Sequence, residues 1–222
     1  MVNSLIFIMD FLIIIGVCIA LIGIAVAGIA ERLAGRLAAK VGFRIHEHPP
    51  DSNPTAPTLP LTPQLMVEFH GTPAGVNEQA QRFGQIADDF GSRGFVWAAA
   101  QEDRTALWKM RHAAYPAILA SRPGSTAIVT DVCVPISALA QAVEETRDDI
   151  DQSGIPGPIL GHVGDGNFHA ILLIDPENTQ EIATAKALAH RMGERALALR
   201  GTITGEHGIG MGKLALMAAE HG

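Results

Sequence analysis

Gly161-His162-Val163-Gly164-Asp165-Gly166-Asn167-Phe168-His169 is the stretch around which this chain is read. Asp-Gly is a strong signal for a two-residue hairpin, because a type I′ turn needs positive φ at both central positions. With Asp165-Gly166 at the tip, Gly164 faces Asn167, Val163 faces Phe168 and His162 faces His169. Directly opposed residues share one face of a strand pair, with Cβ atoms roughly 4.5–5.5 Å apart. Two imidazoles at that spacing reach one metal ion at about 2.1 Å each. The same turn also suits a plain tight hairpin that holds nothing.

Outward from the hairpin, strands and helices alternate. Strands are predicted at 64–70, 95–99, 126–132, 158–162 and 168–174. Helices are predicted at 76–90, with Phe83, Ile86 and Phe90 on one side, and at about 102–119, 135–150 and 178–199. The order is that of an α+β domain, with helices packed on one face of a mainly antiparallel sheet. Roughly 160 residues suffice for one core. Trp108 reads as a core residue, and Arg111 as a surface or binding residue on the second helix.

A second polar cluster, Gly205-Glu206-His207-Gly208-Ile209-Gly210, sets a carboxylate and an imidazole side by side in a glycine-rich bend. Adjacent side chains point in different directions, so Glu206 is read as a third metal ligand and His207 as a base beside it. Two His and one carboxylate leave coordination positions open, as catalytic sites do. Capping of the helix that follows is the plainer use of the same pair. His70 reads as a core or supporting histidine, and the remaining histidines receive no role.

The N-terminal end differs in character. Residues 11–30 carry no formal charge over twenty residues, about 30 Å as a helix, which predicts one N-terminal transmembrane helix. Arg32, Arg36, Lys40 and Arg44 follow at four-residue spacing, so the positive-inside rule puts the folded part on the cytoplasmic side of a single-pass membrane protein. Residues 1–46 are thus the membrane and basic segment. Residues 47–63, with six prolines, are an extended linker, and 64–222 form the folded domain. The net charge of −7 argues against nucleic-acid binding. Cys18 and Cys133 do not read as a disulfide pair, which suits a reducing compartment.

Four motifs in this order resemble a known family. They are Phe69-His70-Gly71, Leu107-Trp108-Lys109-Met110-Arg111-His112, Thr130-Asp131-Val132-Cys133-Val134-Pro135-Ile136-Ser137, and the hairpin followed by Gly-Glu-His-Gly-Ile-Gly. From about residue 57 to 222 the chain resembles the C-terminal domain of the FAD-linked oxidases. That family includes D-lactate dehydrogenase (cytochrome), D-2-hydroxyglutarate dehydrogenase and one of the subunits of glycolate oxidase.

The resemblance implies a divalent metal, zinc or manganese, held by His162, His169 and Glu206. It implies His207 as the catalytic base, Arg111 on the substrate carboxylate and Asn167 beside the substrate. The substrate is then a small D-2-hydroxy acid. Some relatives carry a lysine just before the position of Asp131; Val129 and Thr130 stand there here, which favours lactate over a dicarboxylate. FAD would come from a separate subunit or a missing domain, since the first sixty residues cannot build one, and the C-terminal end stops short of the segment relatives carry. Electrons would pass to a membrane quinone or cytochrome. A catalytically inactive, membrane-tethered interaction subunit is the reading from another class, and a metal-dependent hydrolase is a third.

Overall fold

The computed structural model describes residues 3–9, 65–90, 96–98 and 100–222, and the chain forms two compact units, Met1–Arg111 and His112–Gly222. Two units replace the single core expected from the sequence. Strand β1 (Asn3–Met9) explains the difference: it pairs antiparallel with both β2 (Leu65–Gly71) and β3 (Val96–Ala98), and so completes a three-stranded sheet of its own. Short apolar runs do not distinguish a strand from the start of a longer helix, so β1 has no separate signal in the sequence. The predicted span at 11–30, the basic stripe at 32–44 and the linker at 47–63 lie outside the described residues. Among the described residues, no helix is long and apolar enough to cross a membrane.

In the first unit, α1 (Pro73–Asp89) starts where its chemistry requires. Thr72 caps it by accepting from the Gly75 N–H at 3.2 Å, and Pro73 occupies the first turn, where no N–H is needed. Its buried stripe is Val76, Ala80, Phe83 and Ala87, with Ile86 and Phe90 half-buried at its edge. Phe83 meets Phe69 of β2 edge to face, with ring centroids 5.6 Å apart. Helix α2 (Gln101–Ala120) carries Leu107 and Trp108 against Ala98 and Met66, as expected for Trp108, and the unit boundary falls within this helix.

The second unit is built around β7 (Asn167–Ile174), all eight residues of which are buried. Strands β4 (Thr126–Val129) and β5 (Val132–Cys133) pair with successive parts of β7 in one continuous antiparallel register. The strand expected at 126–132 is therefore one line interrupted at Thr130 and Asp131. Strand β6 (Ile159–His162) also pairs antiparallel with β7. Every strand pairing among the described residues is antiparallel, as anticipated.

Helix α3 (Ile136–Ser153) ends on Gly154 at φ 71°, and α4 (Thr179–Ala198) starts on Asn178, whose side chain accepts from the Gln180 and Glu181 N–H groups. The two helices pack on each other, and α4 also lies against β5 and β7. Arg195 of α4 joins them, donating to Glu145 at 2.8 Å, Thr146 at 3.0 Å and Asp149 at 2.5 Å. After α4 the chain turns through Arg200 at φ 61°, and Thr202 forms a two-way backbone bridge with Cys133. That bridge delivers residues 204–207 to the interruption between β4 and β5. Helix α5 (Leu214–His221) closes the described chain.

Candidate metal centre

The hairpin is wider than the Asp-Gly signal predicts. Val163–Asp165 form a single 3₁₀ turn and only Gly166, at φ 77°, is left-handed; Asp165 is not. The tip closes through Gly166 N–H to Val163 and is tied to the segment after β5 through Val134 N–H to Gly166. A Cβ at Gly166 would collide with the Val134 carbonyl. His162 therefore faces Asn167, and Leu160 faces His169. The register is displaced by two residues, which leaves every side chain on its expected face. His162 and His169 are diagonal neighbours rather than direct partners, a relation that spans roughly 7–8 Å between backbones.

At the strand interruption, Thr130 and Asp131 turn their polar groups inward. The Thr130 hydroxyl accepts from the Ala170 N–H at 2.7 Å, and its carbonyl lies 3.0 Å from His169 Nδ1. Asp131, 1% exposed, is opposite His169 in the continued register. Burial by itself would raise its carboxyl. Hydrogen bonds from the His207 N–H, the Asn167 amide, the Thr204 hydroxyl and the Glu206 N–H outweigh burial and hold it well below the usual carboxylate range. Lys213 donates to the Asp131 carbonyl at 2.8 Å; burial lowers its ammonium, with Asp131 opposing.

One carboxylate oxygen is the focus of three imidazoles. Oε1 of Glu206 lies 2.9 Å from His169 Nε2, 3.6 Å from His207 Nε2 and 3.7 Å from His162 Nε2. Ligating atoms of His169, Glu206 and His207 all lie within 4.8 Å of one another. His169 is 7% exposed, while the side chains of His162, Glu206 and His207 are about half exposed. The His169 and His207 rings meet edge to face with centroids 4.9 Å apart.

The donor set fits a divalent cation. Both ring nitrogens of His169 face oxygen acceptors, yet a neutral imidazole donates from only one of them. Donation from Nδ1 to Thr130 leaves Nε2 as the ligating atom, with either a proton or a cation between it and Glu206. Imidazole and carboxylate together suit zinc or manganese.

Asn167 is buried beside this group. Its amide donates to Asp131 at 2.8 Å and to the Val132 carbonyl at 3.0 Å, and its Oδ1 has no hydrogen-bond partner among the described residues. Gly205 presses against it, so that a Cβ there would fall on the Asn167 amide nitrogen. Five of the expected site residues, His162, Asn167, His169, Glu206 and His207, are thus gathered in the second unit. Arg111 is half-buried on α2, in the first unit. Asp131 stands within one of the four motifs, yet the sequence alone assigns it no role; an acidic residue between β-branched neighbours in a predicted strand is the available signal.

A family model described as "FAD linked oxidases, C-terminal domain" matches residues 37–222. The chain belongs to the C-terminal domain family of the FAD linked oxidases. Among relatives of this oxidase domain, the "Probable D-lactate dehydrogenase, mitochondrial" of Danio rerio is 49% identical over 162 residues, covering 73% of this chain and 33% of that protein. The "D-lactate dehydrogenase [cytochrome], mitochondrial" of Arabidopsis thaliana is 41% identical over 74% of this chain and 29% of its own length. The "Glycolate oxidase subunit GlcD" of Escherichia coli K12 is 30% identical over 70% of this chain and 31% of its own. The oxidase domain described here therefore spans about a third of the length of the relatives it matches.

The family name implies FAD, and the described metal-centre residues build no cradle for it. The backbone N–H groups of 205–207 converge as an anion site does, but the carboxylate of Asp131 already occupies them.

Proposed function

We propose that this chain is the substrate- and metal-binding part of an FAD-dependent oxidoreductase that converts a D-2-hydroxy acid, D-lactate first, to the 2-oxo acid. The observation that carries the proposal is the convergence of His162, His169 and His207 on one Glu206 oxygen, within 3.7 Å, on a scaffold of the oxidase family. The names of the fish and plant relatives support lactate.

His162, His169 and Glu206 would hold the cation in this reading, and His207, whose Nε2 lies 3.6 Å from the same Glu206 oxygen, would take the substrate hydroxyl proton. Arg111 grips the substrate carboxylate, as the resemblance implies, since a guanidinium fork matches a carboxylate bidentately. The resemblance puts Asn167 beside the substrate, and its buried Oδ1 has no hydrogen-bond partner among the described residues. When bound, the cation lowers the hydroxyl pKa and the flavin supplies the acceptor for the C2 hydrogen and its electron pair. That flavin comes from outside the residues described. In this reading a quinone or cytochrome receives the electrons. The single-pass span expected at 11–30 is not part of it, because β1 (Asn3–Met9) pairs with β2 (Leu65–Gly71) and a span between them would set the two strands on opposite sides of a bilayer.

The test is purification of the tagged chain from its native cells, followed by its visible spectrum. A co-purifying flavin band that bleaches on adding D-lactate is the expected result. Absence of flavin and of any co-purifying subunit would overturn the enzyme reading.

A further inference from the structure

We propose that Asp131 is the positioning residue of this centre, setting Glu206 and His207 against His169 through the turn it holds, without touching ion or substrate. Its Oδ2 accepts from the Thr204 hydroxyl at 2.9 Å and from three successive backbone N–H groups, Gly205 at 2.9 Å, Glu206 at 3.1 Å and His207 at 2.9 Å. Its Oδ1 accepts from Asn167 at 2.8 Å and lies 3.5 Å from His169 Nδ1. Lys213 Nζ, 3.6 Å from Oδ2, supplies the nearby positive charge. A buried carboxylate is costly unless it is hydrogen-bonded and paired, and this one is both.

What it orders is informative. The side chains of Glu206 and His207 are 48% and 54% exposed, so burial of their own surface does not hold them. Three consecutive N–H groups aimed at one oxygen fix the backbone from which both are launched, in the manner of an anion nest filled from within the protein. The other carboxylate oxygen ties the same residue to Asn167, the first residue of β7, which stands opposite His162. One side chain thereby sets the relation between the return loop and β7. A residue that only filled the core would need none of these directed bonds.

The experiment compares zinc affinity, by chelator competition, in the full chain and in Asp131→Asn, Glu206→Gln and the double variant, with amide hydrogen exchange over 204–207. Asp131→Asn puts an NH₂ group against either Asn167 or the three N–H donors. The expected loss in zinc affinity is about 10- to 100-fold. If Asp131 acts through Glu206, the double variant binds zinc no more weakly than Glu206→Gln alone. Exchange at 205–207 is expected to accelerate. Thr204→Val keeps the carboxylate and removes one of its donors, so it should shift exchange in the same direction by less. Additive losses in the double variant overturn the proposal. So does unchanged exchange at 205–207 in Asp131→Asn or, should that variant not fold, in Thr204→Val. The affinity arm rests on the metal reading above. A wild-type chain that binds no zinc would remove that reading, while the exchange arm still decides the role of Asp131.

Discussion

Gly205 and the imidazoles around Glu206 are where single atoms decide the chemistry. A methyl group at Gly205 would fall on the Asn167 amide nitrogen and lie 3.1 Å from Asp131 Oδ1. Gly205→Ala should therefore cost ~1–3 kcal/mol, the range of overpacked positions, read as a lower urea midpoint, and should weaken zinc binding as well. Two histidines compete for the third ligand position, since His162 and His207 are almost equally far from Glu206 Oε1, at 3.7 and 3.6 Å. In the proposed assignment His162→Ala loses the metal, whereas His207→Ala keeps it and loses turnover. Metal analysis of the two purified variants, beside lactate oxidation, checks this, and the reverse pattern would exchange the two roles.

Among elements, β7 bears the heaviest demand. Phe168, Leu172 and Leu173 are each 1% exposed or less, and the strand receives β4, β5 and β6. Phe168→Ala should destabilise by ~3–5 kcal/mol in urea denaturation, a large share of the roughly 5–15 kcal/mol available to a typical domain. Contact between α3 and α4 has a pH signature. Burial raises the Asp149 carboxyl, but hydrogen bonds from Arg195 and Arg191 overcome it and hold the group below its ordinary value. A depressed carboxylate binds its proton less readily folded than unfolded. Its contribution is thus complete above the unfolded pKa of ~3.9 and fades as pH falls below that toward the folded value. The urea midpoint of the native chain should drop more steeply between about pH 5 and pH 3 than that of Asp149→Asn, both pH values being chosen to bracket that ~3.9.

For the molecule as a whole, the cation should act as a ligand of the folded state. Zinc or manganese at about 100 times its dissociation constant should add ~2.7 kcal/mol and raise the melting temperature, with a chelator reversing the shift. His169→Ala should abolish the shift, because His169 Nε2 is the nitrogen nearest the carboxylate, at 2.9 Å. A melting temperature indifferent to both ions and to the chelator would count against the metal centre.

Much of this is legible from residue order alone. The antiparallel α+β character, the helices α1 to α4 and the family follow from periodicity and four ordered motifs, because those signals are local. The gathering of His162, His169, Glu206 and His207 is legible as a pairing of two polar clusters. Its geometry is not. Whether Asp165-Gly166 turns alone or within a 3₁₀ turn depends on Val134, which holds Gly166 from the residue just after β5. The separate first sheet depends on β1 finding β2 some sixty residues away. Asp131 looks like one more polar residue in a strand, since its five donors come from Asn167 and from 204–207, more than thirty residues distant. Local sequence determined which imidazoles and carboxylates exist to meet. Only the tertiary structure decided that Glu206 faces the histidines while Asp131 is buried under five donors, because a hydrogen-bond partner is a property of the folded neighbourhood.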